Sequence, residues 1–444
     1  MIRVITYGTY DLLHFGHIRL IERAKELGDY LIVGVTADDF DKNRGKINVQ
    51  QSLMERIEGV RSTGLADEII VEEYEGQKID DIRKYDIDIF TVGSDWVGKF
   101  DYLNEYCKVI YLDRTMGVTS SALRTENREL NIGLVGDANY LKKVYKESSF
   151  VNGITIKGIC AEDISSLPEE LSQFSTITDN YEVFLNKVDA VYIHSFPKVH
   201  YEQSKRALLK GKHVLCESPL SLSLDECKEL FQIAKNKEII LLEAVKTAYS
   251  TAYSRLLLIA KSGSIGEVVS VDATCTSLQD ITADPSAETN KTWNSIASWG
   301  PTALLPIFQL LGTDYRDCQI VSRLKSYNYD IFSKIDFVYA NAVATIKVGR
   351  GVKSEGELII SGTKGYIYVP APWWKTDYFE VRYENQTDNK RYFYQLEGEG
   401  IRNEFADFSR AISSGKTNCH IEEHVTEAIS SIMEKFSRGD ITTI

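Results

Sequence analysis

Two imidazoles stand three positions apart in Thr6-Tyr7-Gly8-Thr9-Tyr10-Asp11-Leu12-Leu13-His14-Phe15-Gly16-His17. Ahead of them, Ile2-Arg3-Val4-Ile5 reads as a buried strand. Behind them, Ile18, Leu20, Ile21 and Ala24 recur at helical spacing through Glu26 and stop at Gly28. The histidines therefore sit on a strand-to-helix turn, where unpaired N–H groups and the positive end of the helix dipole favour an anion. Gly16 lets the backbone approach that anion closely. The chemistry implied is polyphosphate binding, with His14 and His17 stabilising charge that develops on phosphate oxygens.

Two more groupings suit phosphate. Asp41-Lys42-Asn43-Arg44-Gly45-Lys46 gathers three cations beside a glycine, and Arg114 with Thr115 precedes a turn leading to Thr119-Ser120-Ser121. Hydroxyls at a helix start beside an arginine make a phosphate cradle. The elements that position these groups are short apolar runs, Tyr30–Val35, Glu68–Val71, Ile87–Val92 and Val109–Leu112, separated by amphipathic helices. That alternation implies a parallel sheet in a Rossmann-like α/β domain.

A polar stretch, Arg124–Leu130, separates this region from Ile132-Gly133-Leu134-Val135-Gly136, a second strand ending in glycines. The βα alternation then repeats through Ile154–Ala161, Ala190–His194, His213–Cys216 and Ile239–Leu242. From about Ala244 the runs are β-rich: Gly266–Ala273, Asp336–Val348, Gly356–Ser361, Tyr366–Val369 and Tyr378–Tyr383. Helical spacing returns at Ile401–Ser413 and Glu423–Phe436.

The chain has 444 residues, enough for two or three domains. Its net charge of −13 argues against nonspecific nucleic-acid or anionic-membrane binding, so any phosphate site rests on local basic clusters. No apolar run approaches about 18 residues, and no basic n-region precedes the first strand; a cytoplasmic location is expected. Seven scattered cysteines without a CxxC pair suit reduced thiols.

The region from Met1 to about Arg124 resembles the glycerol-phosphate cytidylyltransferases of the HxGH nucleotidyltransferase superfamily. The likeness rests on Gly8-Thr9-Tyr10-Asp11, His14-Phe15-Gly16-His17, Gly93-Ser94-Asp95-Trp96-Val97-Gly98-Lys99-Phe100-Asp101 and Arg114-Thr115-Met116-Gly117-Val118-Thr119-Ser120-Ser121. It implies CTP, Mg²⁺ and a small polyol phosphate as ligands. Thr9, Tyr10, Phe15, Gly16, Lys46, Arg114, Thr115, Thr119, Ser120 and Ser121 would join the histidines on the nucleotide, with Lys46 and Arg114 also catalytic. Arg44 and Lys78 would read the acceptor phosphate, and Asp11 would orient Mg²⁺ or the acceptor. One departure is Gly64, where the family usually has an arginine; Arg56 matches directly.

From about Asn131 to Phe436 the chain resembles the glucose–fructose oxidoreductase/inositol dehydrogenase family. Asp189–His200, Gly211–Leu220, Ser262-Gly263-Ser264-Ile265-Gly266-Glu267-Val268 and Gly362-Thr363-Lys364-Gly365 carry that likeness. It implies NAD(H) or NADP(H) held by Gly136, Ala138, Glu162, Ser195, Phe196, Pro197, His200, Glu217, Ser218 and Pro219, and a homo-oligomer, often a dimer. Glu162, without a neighbouring arginine, suits the ribose hydroxyls of NAD. The glycine fingerprint is degraded, with alanine and leucine at Ala138 and Leu141. The family's Glu-Lys-Pro reads Glu217-Ser218-Pro219, and its Asp and His fall at Ser298 and Thr302. Lys246, after the strand Ile239–Leu242, is the replacement proton donor, on the expectation that burial lowers its pKa.

The expectation is thus an α/β chain in three parts. A Rossmann-like nucleotidyltransferase domain spans 1–128, a dinucleotide-binding Rossmann domain 129–245, and an α+β, mostly antiparallel sheet domain 246–444. The function expected is bifunctional: a CDP-alditol and pyrophosphate from CTP, plus NAD(P)H-dependent reduction of a related carbonyl compound. The resemblance alone extends this to capsule or cell-wall polymer synthesis. The alternative is a transferase carrying a non-catalytic dimerisation domain. His420 and His424 have the spacing of a zinc pair on one helix face, but a carboxylate-rich helix start is the favoured reading. Trp373-Trp374 either lines a pocket mouth or caps the sheet.

Overall fold

The short apolar runs form parallel strands. In a first unit, Met1–Glu129, five of them pair: β1 (Arg3–Gly8), β2 (Tyr30–Thr36), β3 (Glu68–Glu72), β4 (Ile89–Gly93) and β5 (Lys108–Leu112). Their order is β3-β2-β1-β4-β5 and every pairing is parallel. Val4, Ile5, Thr6 and Tyr7 are all buried, because helices cover both faces of the central strand. Helices α1 (Phe15–Lys25) and α2 (Leu53–Ser62) close one face over Val4, Leu31 and Val33. Helix α3 (Gln77–Tyr85) closes the other over Ile5, Ile32 and Phe90. A capping box starts α2: the Ser52 hydroxyl accepts the Glu55 N–H, and the Glu55 carboxylate accepts the Ser52 N–H.

This computed structural model describes the chain except residues 12, 14, 38–48, 50, 75, 114–129, 137, 152, 163, 165–166, 175, 279–292, 327–328, 395–397 and 416–419, and the side chains of 15, 95, 138–139, 326 and 414.

The second unit, Leu130–Ile444, opens on another parallel sheet. Its strands are β6 (Leu130–Gly136), β7 (Ile154–Cys160), β8 (Thr176–Thr178), β9 (Ala190–His194), β10 (His213–Glu217) and β11 (Leu241–Ala244). The order β11-β10-β9-β6-β7-β8 places a topological switch between β6 and β9, the place where such sheets open a ligand crevice. Four helices connect them: α4 (Ala138–Ser148), α5 (Tyr181–Leu185), α6 (Pro197–Leu209) and α7 (Leu224–Asn236).

After α8 (Thr251–Lys261) the chain builds a ten-stranded sheet. It contains β12 (Val268–Leu278), β13 (Asp317–Ser326), β14 (Tyr329–Val338), β15 (Val343–Gly349), β16 (Gly351–Val352), β17 (Leu358–Gly362), β18 (Gly365–Val369), β19 (Tyr378–Tyr383), β20 (Lys390–Phe393) and β21 (Thr442–Thr443). Most pairings are antiparallel; β12–β15 and β13–β21 are parallel. Helices α9 (Ser295–Leu311) and α11 (Glu423–Ser437) join α8 over the core, and α10 (Ile401–Ser414) packs against α4.

The β-rich run Asp336–Val348 holds the turn of a hairpin: Tyr339 N–H donates to the Ala342 carbonyl at 2.8 Å between β14 and β15. Helix α9 lies among the β-rich runs of the α+β part. It holds Pro301 and Pro306, which signal breaks, yet burial of nearly its whole apolar length outweighs the hydrogen bonds they remove.

The end of β6 runs tight against β9. Gly136 has φ +121, and a Cβ there would collide with the His194 carbonyl oxygen. Gly136→Ala should therefore lower the stability of the second unit by about 2 kcal/mol or more, read as a lower urea midpoint. An unchanged midpoint would show that the close approach is dispensable.

Candidate functional sites at the strand ends

In the first unit the chain leaves β1 through Thr9, Tyr10 and Asp11, all buried. Tyr10 holds a left-handed backbone, φ 52, and its ring folds back over Gly8, where a Cβ would approach within 2.9 Å of it. The same ring meets His17 edge-on at 5.6 Å. His17 is half-buried in the first turn of α1, with Gly16 before it.

Arg56 organises this turn. Wholly buried, its guanidinium donates to the Thr9 carbonyl at 2.7 Å and the Thr36 carbonyl at 2.8 Å, and its Nε donates to Gln51 at 3.2 Å. It thereby joins the ends of β1 and β2 to the start of α2. Asp11 Oδ1 accepts the Gln51 N–H at 3.0 Å, so the role expected of Asp11 toward Mg²⁺ or the acceptor competes with a fold-holding bond. Among the described residues no cluster of three metal-ligating side chains occurs.

Lys78 lies buried at the start of α3. Its ammonium pairs with the Glu72 carboxylate and sits over the Tyr7 ring at 4.6 Å and the Phe100 ring at 5.5 Å. Glu72 also accepts from the Thr36 hydroxyl at 3.0 Å. Breaking such a pair costs roughly 3–5 kcal/mol, so the phosphate-reading role expected of Lys78 competes with a buried ion pair. His14, Arg44, Lys46, Arg114, Thr115, Thr119, Ser120 and Ser121 lie outside the described residues, as does the Phe15 side chain.

In the second unit the crevice follows from the switch between β6 and β9. Gly136 and the N-terminus of α4 fit a pyrophosphate, and Glu162, exposed two residues beyond β7, fits a ribose. The Ala138 side chain lies outside the described residues, and Leu141 is core. His194, at the end of β9, carries an aromatic stack: Tyr140 lies on it at 3.6 Å and 11°, and Trp293 at 5.6 Å and 25°. Phe196 meets Trp293 edge-on at 6.5 Å. Arg350 donates to the Trp293 carbonyl and so ties this stack to the large sheet.

The expected cofactor residues divide. Ser195 and Pro197 are buried where β9 turns into α6, and the Ser218 hydroxyl donates to the Ala244 carbonyl at 3.2 Å. His200 is fully buried, its two nitrogens each 2.8 Å from a carbonyl, Pro219 on one side and Ser195 on the other. It fastens the loops after β9 and β10 together. Burial pulls its pKa down while these carbonyls push it up.

Glu217 anchors a further group. Its Oε1 accepts from Tyr140 at 2.7 Å and from Tyr192 at 2.5 Å. Burial first, then the Glu217 charge, holds both phenols well above their ordinary range. Lys246, half-buried, donates to the Tyr140 oxygen at 3.0 Å. Glu404, on α10, is completely buried, and among the described residues neither of its oxygens has a hydrogen-bond partner. Burial, and then Glu217, pushes its carboxyl well up; Lys246 opposes. Ser298 and Thr302 lie on α9, and Arg350 reaches the Ser298 hydroxyl at 3.4 Å.

Sequence reasoning missed Tyr140, Tyr192, His194, Trp293 and Glu404 as site groups. Only Glu404 left a signal: it stands three residues after Ile401 and four before Phe408, a charge on the apolar stripe of α10. His420 pairs with Asp407 at 2.7 Å and His424 with Glu422 at 3.3 Å, separate partners for the two rings. Trp373 is wholly buried and donates to the Thr274 carbonyl at 3.1 Å, whereas Trp374 lies 4.8 Å from Trp299.

The turn after β1 that leads into His17 and α1 suits a nucleotidyltransferase, and the β6/β9 crevice defines the second unit as a dinucleotide-type Rossmann unit bearing a large sheet. Residues 5–167 match the cytidylyltransferase-like family, and residues 130–244 match the oxidoreductase family with an NAD-binding Rossmann fold. The chain is 48% identical over 130 residues, 29% of its length, to the whole of a glycerol-3-phosphate cytidylyltransferase of Bacillus spizizenii. It is 45% identical over 126 residues, 28% of its length, to 97% of the Bacillus subtilis protein of that name. The chain therefore belongs to the cytidylyltransferase-like family and carries a second, oxidoreductase-family domain. A 3-ketoreductase from Actinomadura kijaniata, solved with NADP and TDP-benzene, shares the fold of the second unit. Its TM-score is 0.62 at 16% identity, over 71% of this chain and 99% of that one. A levoglucosan dehydrogenase solved with NADH and levoglucosan gives 0.60 at 19%, over 70% and 98%.

Glu243, at the end of β11, is fully buried and accepts the Leu220 N–H at 3.1 Å. Burial raises its pKa from 4.5 to about 7. The folded state binds this proton more tightly than the unfolded one, so the contribution is complete below pH about 4.5 and is lost as pH rises through about 7. Glu243→Gln should match the parent at pH near 4 and exceed it at pH near 8, by roughly 3 kcal/mol in urea unfolding. Equal gains at both pH values would show that Glu243 stays charged.

Proposed function

We propose that the first unit transfers a cytidylyl group from CTP to a small polyol phosphate of the glycerol-phosphate kind, releasing pyrophosphate and a CDP-alditol. The acceptor phosphate oxygen attacks the α-phosphorus in line while the bond to pyrophosphate breaks, so catalysis is positioning and charge neutralisation. His17 in the first turn of α1, braced by the ring of Tyr10, carries this reading; His14, Lys46 and Arg114 join it by resemblance. The 48% identity to a protein named for glycerol 3-phosphate supports the acceptor class.

The second unit, in this reading, reduces a carbonyl compound on a related carbon skeleton. A nicotinamide dinucleotide would lie along Gly136 and the start of α4, with Glu162 at its ribose, and supplies the hydride. Lys246 gives a proton to the carbonyl oxygen. Glu162 favours NAD(H). Covalent linkage raises the effective concentration of one unit's product at the other. Reduction precedes activation or acts on the CDP-linked compound. The protein works as a cytoplasmic homo-oligomer, and no described helix is long and apolar enough to cross a membrane. The replacements Ser218, Ser298 and Thr302 favour a second reading, in which this unit binds a dinucleotide without turnover.

The test is incubation with each nucleoside triphosphate and a panel of three- to five-carbon polyol phosphates, with product masses as the readout. His17→Ala should reduce CTP-dependent pyrophosphate release by about a hundredfold or more while dinucleotide binding persists. Lys246→Met should do the converse. Loss of both activities from one folded variant would overturn the two-site reading.

A further inference from the structure

We propose that Tyr140 is the positioning residue for Lys246, holding its ammonium where a substrate oxygen is protonated and linking it through the phenol to Glu217. This rests on the reading of the second unit as a carbonyl reductase.

Three observations converge. A single directed chain runs Lys246 N–H to Tyr140 O, and Tyr140 O–H to Glu217 Oε1, at 3.0 and 2.7 Å. The Tyr140 ring lies flat on His194 at 3.6 Å, which fixes the direction of its hydroxyl. Tyr192 occupies the same Glu217 oxygen at 2.5 Å, so the carboxylate is held as well. Each link comes from a different element: Tyr140 from α4, His194 and Tyr192 from β9, Glu217 from the end of β10, and Lys246 just after β11. Such convergence ties the Lys246 ammonium to α4, the helix that follows β6 at the switch point.

The surrounding charges allow it. Glu404 from α10 faces Glu217 and Lys246, and an unpartnered buried carboxyl is far cheaper neutral than ionised. Glu399, just ahead of α10, pairs with Lys375 at 3.1 Å and feels Lys143 and Lys246. Glu217, whose oxygen both phenols reach, is the carboxyl linked to Lys246 through Tyr140. A nicotinamide held at this crevice would supply the hydride that forms the C–H bond. The carbonyl oxygen takes a proton from Lys246 Nζ, breaking one N–H bond; the amine keeps an N–H on the Tyr140 oxygen, and water returns the lost proton.

The experiment compares the full-length protein with Tyr140→Phe, which keeps the ring on His194, and Tyr140→Leu, which removes both ring and hydroxyl. With NADH and the carbonyl substrate, Tyr140→Phe should lose about tenfold to a hundredfold in kcat, leave KM for NADH unchanged and shift the pH profile of kcat. Tyr140→Leu should add a rise in KM for NADH. Parental kcat and pH profile in a folded Tyr140→Phe would overturn the proposal and leave the ring alone as the functional part. A second readout needs no turnover: the pH dependence of Lys246 acetylation by acetic anhydride, followed by peptide mass. It should move in Tyr140→Phe, and an unmoved curve overturns the proposal. Should the parent reduce no carbonyl compound, the reductase reading fails while the acetylation curve still decides the anchor.

Discussion

Val4, Ile5, Thr6 and Tyr7 of β1, like Leu134 and Val135 of β6, are buried between layers of helix. A strand covered on both faces has no side on which a reactive polar group can sit. Chemistry is therefore forced to the carboxyl ends, where helices begin and backbone N–H groups lack partners. Both units obey this constraint. The histidine turn follows β1, and Gly136, His194, Glu217 and Lys246 follow or end four neighbouring strands of the second sheet.

Ends of strands are also where packing is least able to hold a shape, and each unit answers with buried polar anchors. Arg56 takes two carbonyls from different strands, and His200 bridges two more. Each such group desolvates at a cost that its hydrogen bonds must offset, and removing one leaves the others unsatisfied. These residues fasten the ends of neighbouring strands and loops to one another.

The two units solve charge differently. In the first, a buried lysine is matched by a buried glutamate, with aromatic rings around the ammonium. In the second, carboxyls outnumber the cation beside them, and burial pushes the Glu404 carboxyl well above the usual carboxylate range. Two carboxyls near one another in a dry site cannot both ionise readily. The neighbouring carboxyl, Glu217, accepts hydrogen bonds from two phenols.

The sequence by itself determined the local patterns: the strand-to-helix turn around His17, the alternation of parallel strands and helices, the glycine ending β6, and the β-rich second half. These depend on neighbours a few positions apart, which is the range over which hydrophobic period and turn residues speak. It also located Arg56 by likeness, but not its reach to Thr9 and Thr36. Only the tertiary structure decided that Lys78 would meet Glu72, that His200 would face two carbonyls, and that Tyr140, His194 and Trp293 would stack. Those partners lie on different elements, and their side chains carry no mark of one another in the linear order. Helix α9 shows the same limit from the other direction: its prolines argue locally for a break, and burial against strands far away in sequence overrules them.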